Sequence, residues 1–160
     1  MSSRHQEAWE SPGFLLWLAT LRWQRLMRAT LRPHGLTHVQ FVILASLWWL
    51  TERGMAPSQR ELADHAGTDL TMTGQVLLAL ERRGLLVRHP DPEDARIRRP
   101  GLTERGRLLI LRALPAVEEA DLLFLEPVGD RDGLAAALRE LISKGSPRVP
   151  PVGGGRDRVR

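Results

Sequence analysis

Four arginines, Arg88, Arg96, Arg98 and Arg99, flank the run Pro90-Asp91-Pro92-Glu93-Asp94, which suits neither a helix nor a strand interior. They therefore gather around a loop tip. A guanidinium never loses its charge, and its planar fork of donors matches phosphate oxygens and base edges. Asp94 stands two residues before Arg96, near enough to hold that guanidinium in one orientation. A preorganised arginine at a loop tip suits the narrow minor groove of DNA, where the potential is most negative.

A second set of candidates precedes the loop. Leu70, Thr71, Met72, Gly74 and Gln75 follow the capping pair Thr68-Asp69. On a helix, Thr73, Val76, Leu77 and Leu80 share the core face, which leaves the N-terminal half of the opposite face small and polar. Such a surface fits a major groove about 12 Å wide. Gln75 can pair bidentately with adenine, Thr71 can serve a phosphate or a base edge, and Met72 can touch a thymine methyl. Gly74 costs about 1 kcal/mol relative to alanine in a helix interior. Close approach to a DNA backbone would explain it, and so would a tolerated surface glycine. With Ser58 and Thr68 beside the helix starts, the expected DNA contacts are Ser58, Thr68, Leu70, Thr71, Met72, Gly74, Gln75, Arg88, Asp94, Arg96 and Arg98.

Catalytic constellations do not assemble. The histidines at 5, 34, 38, 65 and 89 lack metal-ligand spacing, and cysteine is absent. That excludes thiolate zinc sites, thiol nucleophiles and cysteine-based redox sensing. No Gly-rich phosphate loop or nucleophile elbow is present. Glu118, Glu119 and Asp121 read as a solvated helix face. The expectation is no enzyme, no metal and no cofactor.

The elements that must position the arginines are punctuated clearly. A helix is expected from about Phe14 to Leu31, with Arg22, Arg25, Arg28 and Arg32 as its solvated stripe. Thr37 and Gln40 form a capping box for a second helix that runs to about Glu52, apolar nearly all round from Val42 to Leu50. Ser58 and Glu61 form another, for a short helix to Ala66. Gly67 is placed for a left-handed cap, and Leu70 to Arg83 supplies the next helix, so the pair makes a helix-turn-helix. Leu85 to Arg88 and Arg96 to Leu102 read as two strands of a hairpin, a wing, with Pro100 fit only for an edge or a broken strand. Thr103 caps a helix to about Leu125, which Pro115 should kink. Asp132-Gly133 opens a last helix to about Ser143.

Five blocks in order carry a resemblance: Leu36-Thr37-His38-Val39-Gln40-Phe41, Glu61-Leu62-Ala63, Leu80-Glu81-Arg82-Arg83-Gly84-Leu85-Leu86, Asp91-Pro92-Glu93-Asp94-Ala95-Arg96, and Leu102-Thr103-Glu104-Arg105-Gly106. Together they resemble the multiple antibiotic resistance regulator (MarR) family of winged-helix transcription factors, from roughly Phe14 to Ile142. The resemblance implies a homodimer with interlocking terminal helices, a recognition helix in the major groove and a wing in the minor groove. Asp94 and Arg96 match its wing pair, and Leu70 to Gln75 the reading end of its recognition helix. It also implies a small aromatic or anionic effector between the dimer helices and the winged helix, with Trp17, Trp23, Met27, Arg28 and Trp48 as candidate lining. Gln75, Leu78 and Pro100 depart from the family pattern.

The whole chain fits this picture. It has 160 residues, 42% of them hydrophobic and 26% charged, enough for one globular fold. The net charge is +4 and the only lysine is Lys144, so the position of the arginines says more than the total. No apolar run approaches the ~18 residues of a membrane span, and the N-terminus lacks a secretory layout; a cytoplasmic protein is expected. Leu122 to Leu125, Leu134, Leu138, Leu141 and Ile142 load the C-terminal helices with apolar surface that a second copy would bury. The expected fold is mainly α: a winged helix-turn-helix with N- and C-terminal dimerisation helices and a two-stranded wing. Its expected divisions are a flexible N-terminus at 1–12, an N-terminal dimerisation helix at 13–36, the winged helix-turn-helix at 37–103, C-terminal dimerisation helices at 104–144 and a disordered tail at 145–160. The expected function is a dimeric, sequence-specific transcriptional regulator on a pseudo-palindromic DNA operator, a repressor relieved by a small ligand. The alternative is a winged-helix protein-interaction module that does not read DNA.

Overall fold

A computed structural model of the chain describes residues 8–143. A single turn of 3-10 helix, Ala8–Glu10, leads into α1, Pro12–Leu31. Ser11 is its N-cap, its hydroxyl accepting from the Phe14 amide at 3.4 Å. Pro12 stands at the first helical position, where its missing N–H costs nothing and its fixed φ is already helical. The helix thus begins two residues ahead of the expected Phe14, and residues 8–12, expected to be flexible, form a turn and a helix start. The tail expected at 145–160 lies outside the described residues.

Local signals set the next three helices. In α2, His38–Glu52, Thr37 and Gln40 close their capping box at 3.3 and 3.2 Å. This helix buries Phe41, Ile43, Leu44, Leu47 and Leu50, while Trp49 departs from the expected all-round burial and faces outward under the Arg53 guanidinium. In α3, Gln59–Ala66, Ser58 and Glu61 close the second box, and Gly67 ends the helix at φ 65°. In α4, Leu70–Arg82, the Asp69 carboxylate accepts from the Met72 amide at 2.7 Å.

The hairpin pairs β1, Leu86–Pro90, with β2, Arg98–Leu102, antiparallel and in the register Arg88 to Pro100. Both strands are shifted from expectation: β1 extends through Pro90 and β2 begins at Arg98. Alternation explains how two prolines fit. Just outside the strands, the Asp91 amide donates to the Ile97 carbonyl at 2.9 Å and the Thr103 amide to the Leu85 carbonyl at 3.2 Å. Pairs that contain Pro90 and Pro100 then fall on the alternate positions, where the nitrogen of each strand faces away from its partner. Neither proline removes a ladder bond, so the strand is not broken at Pro100.

Thr103 starts α5, Glu104–Phe124: its hydroxyl accepts from the Gly106 amide at 3.1 Å and donates to the Gly84 carbonyl at 2.8 Å. The helix continues through Pro115, whose side chain is exposed. Met27 and Leu31 of α1, Ile43, Leu44 and Leu47 of α2, Leu62 of α3, Leu77 and Leu80 of α4, Leu86 of β1 and Ile110 of α5 meet in one core. Each fully buried aliphatic side chain there contributes about 1.5–3 kcal/mol of transfer free energy.

The chain divides into two compact units after Phe124. In the second, α6 spans Arg131–Ser143 and is capped by Asp130, which accepts from the Gly133 amide at 2.8 Å. No residue of α6 is buried. Among the described residues no helix is long and apolar enough to cross a membrane.

Candidate nucleic-acid interface

At the wing tip the Asp94 carboxylate takes Arg96 in a two-pronged grip, with Nε on Oδ1 and Nη2 on Oδ2, each at 3.0 Å. Asp94 Oδ1 also accepts from the Arg96 amide at 3.0 Å. The side-chain bond to Arg96, seconded by the amide, holds the Asp94 carboxyl below its ordinary range. The Arg96 side chain is 91% exposed. An ion pair in water adds little to stability, so what this one supplies is orientation: a charged fork held pointing outward.

The other three arginines separate. Arg98 is exposed, bonds to no carboxylate among the described residues, and lies near enough to Glu81 to help lower that carboxyl. Arg88 does not join the projecting set as expected. Its Nε and Nη2 bond to Glu81 Oε2 of α4 at 2.9 and 2.5 Å, because the pleat turns residue 88 toward that helix. Arg99 is bonded to Asp91 and to the Ala56 carbonyl, with Glu61 at 3.6 Å.

The helix-turn-helix is braced internally. Gln59 Nε2 donates to the Leu70 carbonyl at 3.2 Å, across the turn from α3 to α4. A Cβ on Gly74 would stand 3.0 Å from that nitrogen, so the glycine makes room for Gln59, a reason found within the protein. The hydroxyls of Thr68 and Thr73 are 2.7 Å apart, and Thr73 gives its proton to the Asp69 carbonyl at 2.8 Å. Thr68 must then be the donor between them, and its hydroxyl has no proton left for a phosphate. Thr68 thus directs its proton into the turn and not, as expected, toward DNA. Leu70, Thr71, Met72 and Gln75 are exposed along one flank of α4. Ser58 accepts from the Glu61 amide and keeps its own proton to give. A depression of about 490 Å³ joins these parts, lined by Ser58, Gln59, Arg60, Leu70, Arg96, Ile97 and Arg98. The starts of both helices and the wing arginines thus open on one surface.

The expected ligand lining is not brought together in the same way. Met27 is fully buried in the core and offers no surface to a ligand, while Trp17 is 58% exposed on α1. Trp23 Nε1 donates to Asp121 Oδ1 at 2.6 Å, and its ring meets His38 edge-on at 4.8 Å. Burial holds His38 below its ordinary value, against the opposing pull of the Asp121 charge. Asp121 is therefore a packed partner, not merely part of a solvated face. Beside this contact a cleft of about 620 Å³ runs along Gln24, Arg28, Arg32 and Gly35 to Val39. Trp48 is half-buried, with an indole N–H that is buried and unpartnered among the described residues.

Gln59, the Trp23–Asp121–His38 contact and the bond that joins Arg99 to Asp91 escaped the sequence expectations. Asp-Pro-X-Asp was a usable signal for Asp91, since an aspartate ahead of a turn commonly accepts from the amides that follow.

The MarR family model matches residues 36–97. An uncharacterised HTH-type transcriptional regulator of Bacillus subtilis (strain 168), YdcH, is 38% identical over 132 residues, covering 82% of this chain and 90% of the relative. The structure of CouR from Rhodococcus jostii RHA1 bound to p-coumaroyl-CoA superposes with a TM-score of 0.74 at 28% identity, covering 88% of this chain and 94% of that one. The transcriptional repressor CouR bound to a 23-mer DNA duplex superposes with a TM-score of 0.74 at 30% identity, covering 90% and 99%.

Proposed function

The chain belongs to the MarR family, and from that premise we propose that it is a dimeric, sequence-specific DNA-binding regulator, a repressor relieved by a small ligand. The observation that carries this is Arg96, fixed on Asp94 and projecting beside the starts of α3 and α4. The exposed flank of α4, with Thr71, Met72 and Gln75, enters the major groove, and Arg96 and Arg98 enter the adjacent minor groove. Ser58 gives its proton to a phosphate.

Dimer formation has its own support. α1 and α5 pack together, yet Leu16 and Trp17 on one and Leu122 and Leu123 on the other remain more than half exposed. Apolar surface of that kind marks an interface. A two-fold pair then meets half-sites about one helical turn apart. The chain acts as a regulator, not an enzyme, and works in the cytoplasm with the DNA. A ligand for the cleft beside Arg28 and Arg32 is small and aromatic or anionic. CouR, a structural neighbour solved with p-coumaroyl-CoA bound, supports this reading.

The experiment is selection from random duplexes, then titration of the selected duplex at several salt concentrations. Arg96→Ala is expected to weaken binding about tenfold to a hundredfold, and Arg98→Ala to lower the salt slope by about one. Unchanged affinity and slope in both variants would remove the wing from the interface. No enriched duplex even at low salt would leave the protein-interaction module in place of the regulator.

A further inference from the structure

Arg99 sits between the wing tip and the start of the helix-turn-helix and touches both. From β2, its Nε donates to Asp91 Oδ2 and its Nη1 to the carbonyl of Ala56, ahead of α3. Nη1 is also 3.6 Å from Glu61, whose carboxylate closes the capping box on the Ser58 amide at 2.6 Å. Asp91 is buried, and its other oxygen accepts from the Glu93 and Asp94 amides at 2.8 and 3.0 Å. Asp94 is the residue that grips Arg96. Bonds therefore run without a gap from Ala56 through Arg99 and Asp91 to Asp94 and Arg96.

We infer that Arg99 is a positioning residue for DNA reading: it ties the wing loop to the first helix of the helix-turn-helix, so that Arg96 meets the duplex already oriented, and makes no contact with DNA itself. The inference rests on the DNA-binding reading above. Ordering a loop at the moment of binding costs conformational entropy. A loop already closed around a buried carboxylate avoids most of that cost. Arg99 is suited to this because one planar fork can serve a carboxylate and a carbonyl at once, which a lysine cannot reproduce.

The test uses the full chain with Arg99→Gln, Arg99→Lys and Asp91→Ala. Amide hydrogen exchange is measured without DNA, and affinity for the duplex selected by the wild type is measured across salt concentrations. Exchange at Glu93, Asp94 and Ile97 is expected to quicken at least tenfold in all three variants, while core amides such as Leu47 stay protected. Affinity is expected to fall about tenfold with the wild-type salt slope retained, and Arg99→Gln with Asp91→Ala to lose no more than either alone. A slope lowered by about one in Arg99→Gln would put this arginine on a phosphate and overturn the inference. So would unchanged exchange in the wing, or unchanged affinity despite faster exchange. If the wild type binds its duplex and these variants bind equally well, the positioning role alone fails. A wild type that selects no duplex overturns both readings.

Discussion

A Cβ on Gly106 would stand 1.9 Å from the carbonyl oxygen of Leu85. The obstacle is backbone, fixed from both sides by the Leu85 amide on Leu80 O and the Thr103 amide on Leu85 O. Gly74 makes the instructive contrast, since its nearest neighbour is the far end of the flexible Gln59 side chain. Gly106→Ala is expected to cost about 3 kcal/mol. Gly74→Ala is expected to stay within about 1 kcal/mol of wild type, because helix propensity offsets the displaced Gln59 bond. Urea unfolding compares the two. At this scale spacing singled out only Arg96, through Asp94, and the fold gave the four wing arginines three uses. Arg96 and Arg98 project, Arg88 braces the wing on α4, and Arg99 braces it at α3.

Three elements meet where α1, α2 and α5 bring Trp23, His38 and Asp121 together. Burial favours neutral His38 in the folded protein, so its proton affinity lies below that of the unfolded chain. As pH falls through the ordinary histidine value of about 6.5, the unfolded state takes up a proton that the folded state does not. Stability is therefore expected to decline as pH is lowered from 7 through this window and to level off below the folded value. His38→Gln is expected to flatten that part of the curve, as thermal melts across pH 5 to 8 would show. The individual elements were largely legible beforehand. Both capping boxes and the Gly67 cap form where their spacing puts them, because a cap is a contact between residues three or four apart. The strand ends were less so. Pro90 and Pro100 look like strand breakers until the pairing parity of the hairpin is known.

At the scale of the whole molecule, the proposed regulator requires a second copy. Leu122 and Leu123 are about three-fifths exposed in one chain, so charging them is expected to leave the protomer nearly as stable. Sedimentation of the wild type at micromolar concentration is expected to give twice the 18.0 kDa chain mass. Leu122→Glu with Leu123→Glu is expected to give one chain mass and to lose tight binding to a two-half-site duplex. A wild type that sediments as a single chain would refute the symmetric reading of the operator.

Spacing alone determined the helix-turn-helix, the hairpin after it and an arginine-rich tip, because helix caps, helical periodicity and turn residues act between near neighbours along the chain. The tertiary structure decided which arginine meets solvent and which meets a carboxylate, that Met27 is core and Trp17 is not, and that Asp121 lies against Trp23, 98 residues away. Those outcomes depend on distances between residues remote in sequence. Such distances exist only once the core of α1, α2, α4 and α5 has closed.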